Sequence, residues 1–251
     1  MSSKLGARRF IAATAGVIRR QGRAMLGAAP KSLAVFAFSL PFALLVSRLY
    51  QPSDCLFVLA ALVNLIAFAR TTFAWHRVVN QRDAKDSAGA DGSTGEARHL
   101  VLLAAITIAV AALGRATGDV PYILYVVMNA PADAVFFGTL IVLLALIWVP
   151  VLYALAVYGL TLPRTALTGD YGFRGIRAAM PYKRWPLMLM LLVLVSVAGL
   201  TYGFLYELKH DFTATGPIQA LLGTILCVLI AFVVTTMYAV AYRDSVVEST
   251  R

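Results

Sequence analysis

A chain of 251 residues would suit one or two soluble domains, but 60% hydrophobic and only 14% charged residues exclude an ordinary soluble fold. The formal charge of +10 raises nucleic acid as a partner, and where the basic residues fall must decide that. The apolar blocks are continuous and not alternating, so they read as helices and not as barrel strands. Several reach the ~20 residues needed to cross a hydrocarbon core of ~30 Å. The expected class is all-α and polytopic, with six transmembrane helices and an N-terminal amphipathic surface helix.

Residues 1–31 carry Lys4, Arg8, Arg9, Arg19, Arg20, Arg23 and Lys31 and no acid. At helical pitch Phe10, Ile11, Val17, Ile18 and Met25 gather on one side and the arginines on the other. This pattern suits a helix lying in the headgroup layer, basic side toward anionic lipid. A twin-arginine export signal at Arg8-Arg9-Phe10 is the rival reading. The short apolar stretch after it is cut by Arg19-Arg20, and no convincing cleavage site follows. An uncleaved surface helix is expected.

The first span is expected at 32–49, bent by Pro41, and the second at 55–74, continuing through Trp75, His76 and Arg77. Asn64 lies near mid-depth, where an amide bonds a neighbouring helix or, alternatively, a substrate. Residues 81–98 are polar and rich in Gly, Ser, Ala and Asp, as in a flexible loop. A short third span at 99–113 follows. Residues 119–131 are too few to cross and read as an outer-surface or re-entrant helix with Tyr122 and Tyr125 at headgroup level.

The fourth span, 134–162, contains Pro150. The basic loop to Arg184 has room for a short amphipathic helix around residues 173–180. Trp185 marks the interface at the start of the fifth span, 185–206. There Ser196, Gly199 and Gly203 share a face, and the Gly199-x-x-x-Gly203 spacing permits close helix packing. The last span is 217–242. The organisation is thus a basic cytoplasmic segment over 1–31, a six-helix domain over 32–242 and a cytoplasmic tail over 243–251.

In this layout 19 Lys and Arg fall on one side and 3 on the other. Basic residues stay on the cytoplasmic side, so both termini are expected there. Topology accounts for the charge, and no basic stripe with interleaved aromatics points to nucleic acid. Cys55 and Cys227 differ by roughly 15 Å in depth at helical rise, too far for a disulfide, and read as packing residues. Three scattered histidines support no metal site, and no cofactor is expected.

Arg70 lies inside the apolar stretch, where an arginine costs a few kcal/mol unless it snorkels or pairs. One reading is a snorkelling Arg70 with Trp75 as interfacial anchor and Arg77 as a positive-inside residue. The sharper one is a cytoplasm-facing pocket in which Arg70, His76 and Arg77 hold a phosphate, a carboxylate or a lipid headgroup, closed by Arg164, Arg174 and Arg177. Catalysis by His76 would need a carboxylate or nucleophile, and Asp83 and Asp86 are its only near acids in sequence. No enzyme is expected. A permease is the alternative, since Pro41 and Pro150 each interrupt a span, although intramembrane acids for ion coupling are missing.

At Ala74-Trp75-His76-Arg77, at Leu162-Pro163-Arg164-Thr165-Ala166-Leu167 and at Arg174-Gly175-Ile176-Arg177-Ala178 the chain resembles a group of uncharacterised bacterial six-span inner-membrane proteins. These are distantly similar to the YciC-like proteins and to the membrane domain attached to some glycerophosphodiesterases. The chain departs from the group at Val78-Val79-Asn80-Gln81 and at Arg164, where alanine is usual. The resemblance implies a fold and the bacterial inner membrane, and brings no activity with it. The expected function is engagement of anionic phospholipid, or of a protein partner, by the basic cytoplasmic face.

Overall fold

The computed structural model describes residues 5–46, 54–80, 92–128, 133–173, 180–210 and 216–249. They form nine helices: α1 (Ala7–Ala28), α2 (Pro30–Leu44), α3 (Asp54–Asn80), α4 (Gly92–Gly118), α5 (Val120–Met128), α6 (Ala134–Tyr158), α7 (Thr161–Thr168), α8 (Trp185–His210) and α9 (Gly216–Ser249). Five stretches are long and apolar enough to cross a bilayer, or six if α1 and α2 count as one broken span. This is a helical multi-pass membrane protein.

The break between α1 and α2 has a local cause. Ala29 precedes Pro30, whose ring crowds the preceding residue out of the helical region, and Ala29 sits at φ −145°, ψ 60°. Pro30 itself suits the first turn of the next helix. The two helices therefore meet at 86°. Fifteen residues of α2 rise about 22 Å, and the end of the span expected at 32–49 lies outside the described residues.

On α1, Phe10, Thr14, Val17 and Met25 are buried, while Arg8, Arg9, Arg19, Arg20 and Arg23 are exposed. The apolar side is spent on the protein itself. Phe10 stacks on Tyr182 with ring centroids 4.6 Å apart. Leu5 N donates to the Pro181 carbonyl at 2.9 Å, and Lys183 N donates back to the Leu5 carbonyl at 3.2 Å. Ile11, expected on the apolar side, is exposed. The face thus includes Thr14, whose hydroxyl bonds the Phe10 carbonyl inside the helix.

The loop expected over 81–98 ends earlier, because α4 is already helical from Gly92. Ser93 and Glu96 stand at capping-box spacing in the sequence, a helix-start signal that falls just inside the observed first turn. Residues 119–131 hold a nine-residue helix, α5, and the Asp133 carboxylate accepts from Phe136 N at 2.8 Å to cap α6. The amphipathic helix expected around 173–180 falls largely on 174–179, outside the described residues.

The largest buried cluster joins α1, α3, α6, α8 and α9 around Phe10, Met25, Trp75, Leu160, Leu187 and Met237. Leu56, Ile108, Ile141, Leu146, Leu200 and Leu221 are exposed. Such residues are stable in hydrocarbon, where no helix–helix hydrophobic force exists and packing relies on shape and hydrogen bonds. One close approach is Gly159, where an added Cβ would lie 2.4 Å from the Tyr238 ring. The Tyr238 hydroxyl there donates to the Leu155 carbonyl at 2.8 Å.

Candidate functional site

The residues expected to surround one anion take different directions. Helical phase turns Arg70 and Arg77 outward and Thr72, Trp75, His76 and Val79 inward. Arg70 Nε donates to Glu96 Oε1 at 2.9 Å, with side-chain exposures of 62% and 40%. The Arg77 guanidinium lies 5.6 Å from the centre of the Phe73 ring. Arg164 pairs with Asp170 at 3.7 Å and donates to the Gly172 carbonyl at 3.4 Å. Arg174 and Arg177 lie outside the described residues. An acid has therefore taken the place expected for a bound anion at Arg70, and His76 faces the protein interior.

That interior holds a second histidine. The rings of His76 and His99 are both buried and meet edge to face, with centroids 5.6 Å apart. His99 Nδ1 lies 3.1 Å from the Leu162 carbonyl and 3.4 Å from Thr165 Oγ1. Its Nε2 lies 3.0 Å from Thr72 Oγ1. A carbonyl can only accept, so a neutral His99 carries its proton on Nδ1 and leaves Nε2 as an acceptor, facing a Thr72 hydroxyl that also reaches the Phe68 carbonyl at 3.0 Å. His76 Nδ1 is buried with no hydrogen-bond partner among the described residues. Phe73 closes the outer side, edge to face with His99.

The start of α4 is fixed against the end of α7 by the same cluster. Gly169 takes φ +69° and caps α7, a conformation that glycine adopts freely. Its carbonyl accepts from Arg98 at 2.5 Å. His99 thus holds the body of α7 and Arg98 its C-terminal cap, and Glu96 is carried to the outer face beside Arg70.

On that outer face Ile66, Ala69 and Arg70 of α3, with Glu96, Ala97 and Leu100 of α4, line a shallow groove. The small side chains Ala69 and Ala97 leave room between the two helices. Arg70 and Glu96 form its polar end.

Trp75 is no interfacial anchor. It is buried, donates from Nε1 to the Met25 carbonyl at 2.9 Å and meets Phe232 edge to face at 4.9 Å. An indole N–H needs an acceptor, and the unpaired carbonyls at the end of α1 provide one. Trp185 is exposed at the start of α8. Asn64 donates to the Phe36 carbonyl at 2.8 Å and to Ser39 Oγ at 3.0 Å, joining α3 to α2. Ser196 is exposed, and an added Cβ at Gly199 or Gly203 would meet nothing within 4 Å. Close packing between α8 and α9 falls instead at Gly223, where a Cβ would lie 2.2 Å from Thr201 Oγ1.

Glu96, His99, Thr72 and Thr165 escape sequence reasoning because their partners come from other helices. Only Glu96 had a local signal, its spacing from Ser93. The same holds for Tyr182, whose hydroxyl donates to the Asp244 carboxylate. Burial and that bond hold the phenol well above its ordinary pKa. No protein-family model, curated protein or solved structure matches the chain.

Proposed function

We propose that this is a six-span protein of the bacterial inner membrane, both termini cytoplasmic, that engages anionic phospholipid through its basic face and catalyses no reaction. The observation that carries the reading is the 86° turn between α1 and α2. If α2 runs along the bilayer normal, α1 lies in the plane of the headgroups. Arg8, Arg9, Arg19, Arg20 and Arg23 are then exposed on a helix without an acidic residue. Each such residue near an anionic leaflet contributes about 1 kcal/mol. Burial of Phe10, Val17 and Met25 against the bundle supports a helix held in place by protein and presenting its charges to lipid. The 19-to-3 distribution of Lys and Arg supports the orientation.

The test measures phosphatidylglycerol retained by purified protein as salt is raised. Retention that falls with salt, and that is lost when Arg19, Arg20 and Arg23 become glutamine, is the expected result. Equal retention by wild type and triple variant would overturn the reading. A fluorescent protein fused after Arg251 should fold in the cytoplasm, whereas periplasmic exposure of that end would reverse the orientation.

A further inference from the structure

The groove between α3 and α4 has a polar end of unusual composition for a lipid-facing surface. Arg70 and Glu96 are bonded to each other at 2.9 Å yet both stay substantially exposed. Among the described residues, Arg70 Nε and Glu96 Oε1 are the only atoms of the two side chains in a hydrogen bond. Four guanidinium N–H groups and one carboxylate oxygen remain for another molecule. Together the pair is neutral, so it offers no net attraction to an anion. Its two free ends do offer a donor fork beside a carboxylate.

We propose that this groove is a binding site for a zwitterionic phospholipid with a primary ammonium headgroup, of the phosphatidylethanolamine class. The phosphate meets the guanidinium edge of Arg70, where paired N–H donors match phosphate oxygens. The ammonium donates to the free oxygen of Glu96. One acyl chain follows the apolar floor formed by Ile66, Ala69, Ala97 and Leu100. Charge complementarity selects this occupant. A net anion would be repelled by Glu96, and a quaternary ammonium has no N–H to give. It also meets the cost of charge on a span surface, which falls when every ionic group is paired. The site is separate from the arginines of α1.

The test is native mass spectrometry of the full chain released from detergent with phosphatidylethanolamine, phosphatidylcholine or phosphatidylglycerol of matched acyl chains. Wild type should retain phosphatidylethanolamine in preference to phosphatidylcholine by about tenfold, the loss expected from one charge-assisted hydrogen bond. Glu96→Gln should abolish that preference. Ala97→Trp, a change at an exposed position that leaves both charges in place, should fill the groove and reduce phosphatidylethanolamine retention. The α1 triple variant should keep the preference while losing phosphatidylglycerol, so failure here and failure of the anionic-lipid reading are distinguishable. Equal retention of the ethanolamine and choline lipids by wild type overturns the proposal. So does stronger phosphatidylglycerol binding that survives the α1 substitutions and is lost in Ala97→Trp. A dimer that dissociates in Ala97→Trp without any change in bound lipid overturns it in favour of a second copy of the chain.

Discussion

His76 and His99 touch edge to face, 5.6 Å between ring centres, but they are not equivalent partners. His99 has both nitrogens within hydrogen-bond distance of protein atoms, whereas His76 Nδ1 has no such partner among the described residues. The pair therefore separates two consequences of burying a polar ring: one is paired to neighbouring helices, the other carries an unmet nitrogen.

Substitution should reveal that difference. His99→Phe leaves the Leu162 carbonyl and the Thr72 hydroxyl without their ring partner, and should cost about 1–3 kcal/mol. His76→Phe removes an unpaired buried nitrogen with little change of shape and should be neutral or stabilising. Thermal unfolding of the two variants in the same detergent measures both. Equal destabilisation would mean that the ring contact, and not the hydrogen bonds, sets the energy.

Trp75→Phe keeps an aromatic ring against Phe232 but loses the bond to the Met25 carbonyl. We expect a loss of about 1–3 kcal/mol, the cost of an unmade buried hydrogen bond, concentrated at the end of α1. Hydrogen exchange should therefore quicken in the last turns of Ala7–Ala28 and stay unchanged in Gly216–Ser249. Uniform quickening would place Trp75 in the global core instead.

Gly159→Ala places a methyl group 2.4 Å from the Tyr238 ring. The ring cannot retreat without giving up its bond to the Leu155 carbonyl. Overpacking of this kind costs about 1–3 kcal/mol. The unfolding midpoint should drop for Gly159→Ala but not for Gly199→Ala, whose Cβ meets nothing within 4 Å.

Tyr182 supplies a pH signature. Burial, then the hydrogen bond to Asp244, raises its pKa in the folded protein above the ordinary value. A raised folded pKa means that the contribution is whole below the unfolded value of about 10 and is lost as pH rises toward the folded one. The stability difference between wild type and Tyr182→Phe should be flat from neutral to weakly alkaline pH and should shrink above about pH 10. A difference that grows over that range would contradict the donor role of the phenol.

The long apolar helices were legible because hydrocarbon length and continuity are properties of each segment alone. Partners were not. The spacing of Phe10, Val17 and Met25 revealed a face on α1, but lipid and protein are both apolar, so the pattern could not say which one covers it. Trp75 read as an interfacial residue from its place near charges, yet the acceptor that buries it lies fifty positions earlier. Gly199 and Gly203 had the spacing for close packing, while the contact is made by Gly223 and Thr201, a choice set by the rotation of α8 against α9. Arg70 is anomalous from position alone. Its answer, Glu96, sat in a stretch whose polarity resembled a loop.

The docking of α1 also dictates an order of assembly. A chain emerges from the ribosome N-terminus first, so these basic turns are made before anything they rest on. Their anchors arrive late: Trp75 with α3, then Pro181 and Tyr182 only after α7. Until then the newborn segment has its greasy flank uncovered, and the bilayer surface is the only shelter within reach. Helix α1 thus waits for native neighbours made well after it.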